Sequence, residues 1–307
     1  MKNSKISVPP LLAAFLALLF AGHAALTQQA QQAQQAQQTP SGSSEYSPTV
    51  GQPGKDVIWV PTPDALVERM LRMASVGSRD YVIDLGSGDG RTVIMAAEKF
   101  GARALGIEYN PDMVALSIRN AELAGVTGKV KFVEADIFET DFSQATVITM
   151  YLLPALNIKL RPKILELRPG TRIVSHAFGM EEWRPDQTIT VESRNAYLWI
   201  VPAKVAGTWN LTLPAGSREE TWTLTLQQDF QTLTGVVRLP EGLFDLLDAR
   251  MQGTEIGFHF IDASGARREV AGRALSDRME GTLQNQGGTS LRWKAAREEV
   301  KAGSPRT

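Results

Sequence analysis

The chain reads as an α/β fold, a mostly parallel sheet with an antiparallel hairpin at one edge, followed by a small antiparallel β meander. Three observations predict it. Between residues 80 and 178, short apolar runs alternate with helical patterns and turn glycines, the signature of right-handed βαβ units and a parallel sheet. The runs "TITVES" and "AYLWIVPA" then lie only a few residues apart, which permits an antiparallel pair and no crossover. From Lys204 the runs become short and often alternating, joined by Gly-rich turns, as in a barrel or sandwich.

The elements follow in order. "WVPTPDALVERMLRMASV" predicts a turn and a helix, with Thr62 as N-cap, Pro63 at the first helical position and Leu66, Met70 and Met73 on one face. "DYVIDLG" is a fully buried strand and "RTVIMAAEKFG" a helix closed by Gly101. "RALGIEYN" is the second strand. "PDMVALSIRNAELAG" is a helix capped by Asn110 and stopped at Gly125. "KVKFVEAD" and "ATVITMYLL" are the third and fourth strands, a helix lies around residues 157–167, and "RPGTRIVSHAF" carries the fifth strand. In the meander, "GTWNLTL", "ETWTLTLQQ", "LTGVVRL", "TEIGFHFID", "REVAGRAL" and "SLRWKAA" are the predicted strands. Trp209, Trp222, Phe258, Phe260 and Trp293 fall at period-2 positions and are read as its core.

The N-terminus has a different character. Lys2 and Lys5 precede the apolar run 11–20, and Gly22-His23-Ala24 offers small residues for cleavage after Ala24. Residues 1–24 are therefore expected to be a signal peptide, making the protein periplasmic or secreted. A retained membrane anchor and a cytoplasmic chain are the alternatives. The run is short for a membrane span, so no stable span is expected unless the segment stays uncleaved. Residues 25–54, rich in Gln, Ala, Ser and Pro, cannot bury a core and are expected to be a linker. The main domain is placed at 55–203 and the β-rich domain at 204–307.

Composition removes several chemistries. The sequence has no cysteine, which excludes disulfides and thiolate metal sites. His23, His176 and His259 are its only histidines, so no metal site is expected. The net charge is −1 and no dense Lys/Arg run occurs, against the basic footprint of a nucleic-acid binder.

The stretch "VIDLGSGDGR" is the most informative. Gly86, Gly88 and Gly90 let a turn be tight and let a ligand approach the backbone. A dinucleotide loop would read Gly-x-Gly-x-x-Gly; here the third glycine comes one residue early, and Asp89 is poor company for a pyrophosphate. Glu108 ends the second strand, where a carboxylate accepts from both ribose hydroxyls. Asp136 ends the third, where it could accept from an adenine amino group. Any one acid, Asp84 included, could instead be a turn acid or helix cap. Three in register with such a loop are harder to dismiss.

"VIDLGSGDG", "GIEYN" and "EADIF" together resemble the class I S-adenosyl-L-methionine (SAM)-dependent methyltransferases, over about residues 56–203. "WVPTP", "YLLPALNIKLRP" and "RPGTRIVSHAF" are similar, within that class, to bacterial relatives of the ATP-synthase c-subunit lysine methyltransferases. The resemblance implies a Rossmann-like sheet and SAM as cofactor. It places Gly86, Ser87, Gly88 and Gly90 in the cofactor loop, with Gly86 and Gly88 against the methionine part and Asp84 at its amino group. Glu108 would take the ribose, Asp136 the adenine amino group, and Ile137 would pack on adenine. Val60, Pro61, Thr62 and Pro63 would close over the methionine end, and residues 150–154 would border the transferring methyl. "YLLP" is not the Asn-Pro-Pro-Tyr type of motif of amino-methylating nucleic-acid enzymes, which with the charge argues for a protein or small-molecule acceptor. A protein lysine is the expected nucleophile. No dedicated base is evident; Tyr151 and His176 are the candidate catalytic residues, and Trp183 and Asp186 could line an entrance or simply be surface loop. An exported non-catalytic module with this fold, or an enzyme for a small molecule or lipid, remain the alternative readings.

Overall fold

The computed structural model describes residues 46–285, 288 and 290–298. The segments expected to be a signal peptide and most of the linker lie outside the described residues. The described residues from Pro48 onward form one compact unit that carries two sheets.

The first sheet has seven strands in the order β3-β2-β1-β4-β5-β7-β6. They are β1 Tyr81–Leu85, β2 Arg103–Glu108, β3 Val130–Glu134, β4 Val147–Met150, β5 Arg172–His176, β6 Gln187–Val191 and β7 Arg194–Ile200. The first five run parallel, and β7 lies antiparallel between β5 and β6, so the expected edge hairpin is present. Helices α1 Asp64–Met73, α2 Arg91–Phe100 and α3 Pro111–Leu123 share one core with β1, and α4 Pro154–Leu165 shares the other. Strands β1 and β4 are buried along nearly their whole length, which is why they read as unbroken apolar runs.

Local chemistry fixes the helix ends, with one departure from expectation. Asn110 Oδ1 accepts from the backbone N–H groups of Asp112 and Met113 at 2.9 and 3.3 Å, as its cap position predicts. α1 begins one residue later than Thr62 would require: its cap is Pro63, and no side chain caps it. The Thr62 hydroxyl is engaged elsewhere. β3 ends at Glu134, so Asp136 follows the strand rather than closing it.

The second sheet is a closed barrel, settling the choice between barrel and sandwich. Its strands are β8 Gly207–Ala215, β9 Arg218–Asp229, β10 Thr232–Leu239, β11 Gly242–Asp245, β12 Leu247–Gln252, β13 Glu255–Ile261, β14 Arg267–Leu275, β15 Arg278–Asn285 and β16 Ser290–Arg297. β11 and β12 are two halves of one wall strand, broken at Leu246, whose N–H turns to Gly235 O at 3.0 Å. Consecutive strands pair antiparallel and β16 returns to β8, so the ring holds eight walls. Trp209, Trp222, Phe258, Phe260 and Trp293 are buried inside, as their spacing predicts, and a barrel of this size is filled by its own side chains.

Candidate cofactor and acceptor site

The register of the first sheet creates the site. β1 pairs Asp84 with Gly106 on one side and Thr149 on the other. Beyond these strand ends lies a cleft of about 330 Å³. Its far wall is a short hairpin: Gly51 N–H donates to Trp59 O at 2.8 Å, and Trp59 N–H to Gln52 O at 2.9 Å. Residues 49–54, which composition assigns to the linker, are therefore partly built into this wall. Val60, Pro61 and Thr62 continue it to α1.

The glycine loop does three separate jobs. Gly86 and Gly88 border the cleft, both with positive φ. A Cβ on Gly88 would meet the Trp59 indole nitrogen at 2.7 Å, so the hairpin closes directly onto the bare backbone. Gly90 does not border the cleft; a Cβ there would strike Phe132 and Ser117, so this glycine lets α2 pack on the sheet and its expected ligand role is replaced by a packing one. Ser87 borders the cleft, but its buried hydroxyl lies where a Cβ on Gly106 would be, at 2.5 Å, beneath the loop. Arg91 ties loop to wall, donating to both Asp89 carboxylate oxygens and to Thr62 O at 3.2 Å.

The three acids are unlike one another. Asp84 is buried and accepts from the Thr149 hydroxyl at 2.6 Å. Burial pushes its carboxyl up to about 7, against the hydrogen bonds of Thr149 and Thr92, with the Glu108 and Asp89 charges adding to the rise. Glu108 Oε2 accepts from Gly88 N at 2.9 Å, and Oε1 accepts from Tyr109 N and Asn110 N at 2.9 and 3.0 Å. Asp136 Oδ1 accepts from Phe138 N at 2.9 Å, while Oδ2 is paired with Lys55 of the hairpin. That lysine holds the Asp136 carboxyl below its usual range. Ile137 borders the cleft beside it.

At the other end, Tyr151 borders the cleft and its ring lies 3.8 Å from that of His176. His176 is buried behind Tyr151 and hydrogen-bonded through Nδ1 to Thr62 Oγ1 at 3.0 Å. Burial, then the Arg194 charge, lowers its pKa to about 4. A base that weak is badly matched to a lysine ammonium of reference pKa about 10.4. Its geometry is that of a group orienting Tyr151 and the base of the hairpin. Trp183 and Asp186 line no entrance. Trp183 is fully buried, and Asp186 accepts from Ile200 N at 2.7 Å.

Sequence reasoning passed over Trp59, Thr149, Phe178 and Lys55. Of these only Trp59 carried a local signal, standing directly before "VPTP". Among the described residues, no group of three acids or histidines could hold a metal.

The residues fit SAM. A buried carboxylate for an ammonium, a bare loop for close approach, a strand-end carboxylate for a ribose and apolar walls converge on one cleft. Fold and site are those of a class I SAM-dependent methyltransferase. The ANTKMT methyltransferase domain matches residues 84–187. The chain is 45% identical over 151 residues to a protein-lysine N-methyltransferase of Saccharolobus islandicus, covering 47% of this chain and 94% of that protein. It is 37% identical over 131 residues to the ATP-synthase c-subunit lysine N-methyltransferase of Mus musculus, covering 42% of this chain and 52% of the mouse protein. A solved structure described as an RNA methyltransferase from Salinibacter ruber, in complex with S-adenosyl-L-homocysteine, is 51% identical, with TM-score 0.47, covering 48% of this chain and 96% of that one. The chain belongs to the family of SAM-dependent methyltransferases that contains the archaeal enzyme. Its cofactor is SAM. The barrel lies beyond residue 187, where the domain match ends.

Proposed function

We propose that the chain transfers the methyl group of SAM to the ε-amine of a lysine in a protein. The observation that carries this is the 45% identity to a protein-lysine N-methyltransferase across nearly all of that relative's length. The acceptor end of the cleft supports it. Met150, Tyr151, Leu152, Leu153, Leu156 and Phe178 line it. SAM supplies the electrophile, a methyl on a sulfonium. What the protein supplies is a dry, oriented approach. An apolar channel disfavours an ammonium and so favours the neutral amine that can attack. At the mouth, Ile58, Val60 and Leu153 are 60%, 37% and 46% exposed, an apolar rim suited to a lysine with apolar neighbours in its chain. Such a rim and a net charge of −1 do not suit a phosphate backbone.

The test offers SAM with a labelled methyl group to the full chain, together with a lysine-centred peptide library and, separately, total RNA. Label on lysine, fastest with apolar flanks, is the expected result. Label in RNA alone would overturn the reading.

Export is proposed on separate ground, the Lys2/Lys5, apolar 11–20 and Gly22-His23-Ala24 pattern. N-terminal sequencing of the native protein should find residue 25 first. An intact Met1 in the cytosolic fraction would refute it.

A further inference from the structure

We infer that the barrel has a part in methyl transfer: Phe230, at the tip of its β9–β10 turn, positions the loop that carries Phe178 to the acceptor end of the cleft. The inference rests on the function proposed above, for it treats that end as the place where the acceptor enters.

The loop runs from residue 177 to 184, outside the strands; a single bridge, Met180 to Trp183, lies within it, and Ala177 N–H donates to Asn195 O at 2.8 Å. Ala177 and Glu181 both take positive φ, 63° and 52°, conformations that side chains disfavour and that persist only where neighbours enforce them. Its first half is held from within the domain. Ser175 Oγ donates to Phe178 O at 2.7 Å, and Asn157 Nδ2 donates to the carbonyls of Phe178 and Gly179, both at 3.2 Å. Phe178 then faces Tyr151, ring centres 6.1 Å apart and 23° from parallel, and borders the cleft.

Its second half is held from both sides: Trp199 of β7 donates through Nε1 to Trp183 O at 2.7 Å, and the barrel packs on the other side. Phe230 stacks on Trp183 with ring centres 5.8 Å apart and planes within 10°. The Arg161 guanidinium lies over Phe230 at 5.6 Å. That same Arg161 donates to Met180 O at 2.9 Å and pairs with Glu182. Next in the chain, Gln231 Nε2 donates to Arg184 O at 2.6 Å. One aromatic ring therefore fixes two groups, Trp183 and Arg161, that between them hold the loop at 180, 182 and 183. Phe230 itself sits at φ 51°, again a strained setting for a bulky residue. A two-residue hairpin asks for positive φ at this position whatever side chain fills it. Here it delivers a flat ring between an indole and a guanidinium.

The brace ends on the acceptor side. The residues assigned to the cofactor, Asp84, Gly86, Gly88 and Glu108, lie on β1, on the loop after it and on β2, so the position of the 177–184 loop should bear on the rate of transfer and not on SAM affinity. Loss of the ring lets Phe178 shift, and small misplacements of a positioning wall have large effects on rate.

The experiment compares full-length wild type with Phe230→Ala and Phe230→Trp, using the library peptide that wild type methylates fastest. Phe230→Ala should lower kcat about tenfold or more while SAM Kd by calorimetry stays within about twofold. Phe230→Trp, which restores a flat ring, should recover most of the rate. Unchanged kcat in Phe230→Ala would overturn the inference, and so would a loss of SAM affinity in step with kcat, which marks general damage. If Phe230→Ala does not fold, Phe230→Leu takes its place, read by the same outcomes. Backbone hydrogen exchange across 177–184 needs no acceptor, and so separates this inference from the choice of substrate. Faster exchange there in the variant supports the brace even if wild type methylates no lysine, and unchanged exchange refutes it.

Discussion

A carboxylate has about four lone-pair sites, and the backbone around Glu108 already uses three of them, from Gly88, Tyr109 and Asn110. The residue thus ties the cofactor loop to the turn entering α3, and the one site left can accept from one ribose hydroxyl, not from the two that the sequence reading expects. Glu108→Ala should weaken SAM binding at least about tenfold and also lower the melting temperature, since bonds to a charged acceptor are worth roughly 1.5–3 kcal/mol each. Calorimetry paired with thermal unfolding checks both; lost stability with unchanged SAM affinity would remove the ribose from this residue. Asp84 and His176 give opposite pH windows. Asp84, raised to about 7, keeps a proton in the folded state that the unfolded chain has lost, so its contribution falls as pH rises from about 4 to 7. His176, lowered to about 4, is neutral when folded, so its contribution is present above about 6.5 and is lost as pH falls toward 4. Relative to His176→Asn, wild type should therefore gain stability between pH 4 and 6.5 in denaturant titrations. A difference flat across that range would contradict the burial assigned to His176. SAM affinity should rise from pH 6 to 8, because the ammonium of SAM needs Asp84 ionised, and the rise should vanish in Asp84→Asn. Asp84 and Glu108 were legible because each ends an apolar run next to a motif. Thr149 and Phe178 were not, since only strand register sets Thr149 against Asp84 and only a loop fold brings Phe178 to the cleft.

At the scale of elements, the hairpin before α1 covers one side of the cleft and runs into α1 through Pro61–Pro63. Lys55 pins its tip to Asp136 and lies 4.8 Å from the Tyr109 ring centre. Both partners are partly exposed to solvent, which screens such a pair, so Lys55→Ala should speed SAM release by no more than about fivefold. Stopped-flow displacement measures it; slower release would show that Lys55 obstructs the cleft instead of closing it. Composition assigns the first strand of this hairpin, up to residue 54, to the linker because Gly, Ser and Pro dominate its approach, and so short a hairpin has no periodicity to detect. In the barrel, the same limit hid β11, β12 and β15. "GLFDLLDARMQ" places Leu246 and Leu247 side by side at the break between wall strands, which obscures the alternation. "RMEGTLQN" has Gly281 at its centre, where a Cβ would strike the backbone of Ala271. Strands with β-branched or aromatic alternation, such as β9 and β13, were plain.

Over the whole molecule, the barrel is packed onto the catalytic sheet and is not merely strung after it. Ala203 N–H donates to Gly253 O at 2.7 Å, and Trp183, fully buried, stacks on Phe230. Removing residues 204–307 should uncover part of that apolar surface and lower stability, while SAM affinity stays within about threefold, because no cofactor contact lies in the barrel. A soluble 48–203 fragment that folds yet binds no SAM would show the division to be misleading. The succession of strands and helices along the chain and the glycine loop could be read ahead of the structure because each is local in sequence. The packing of barrel on loop could not, since it joins residues 161, 183 and 230 through three different elements. The central claim is that this cleft moves a methyl group from SAM to a protein lysine. Its most direct test is mass spectrometry of the lysine-centred peptides after incubation with the full chain and SAM carrying a deuterated methyl. The account predicts labelled methyl on the lysine ε-nitrogen, lost in Gly88→Val and Glu108→Ala. SAM binding with no label on any lysine, or label confined to RNA, would contradict it.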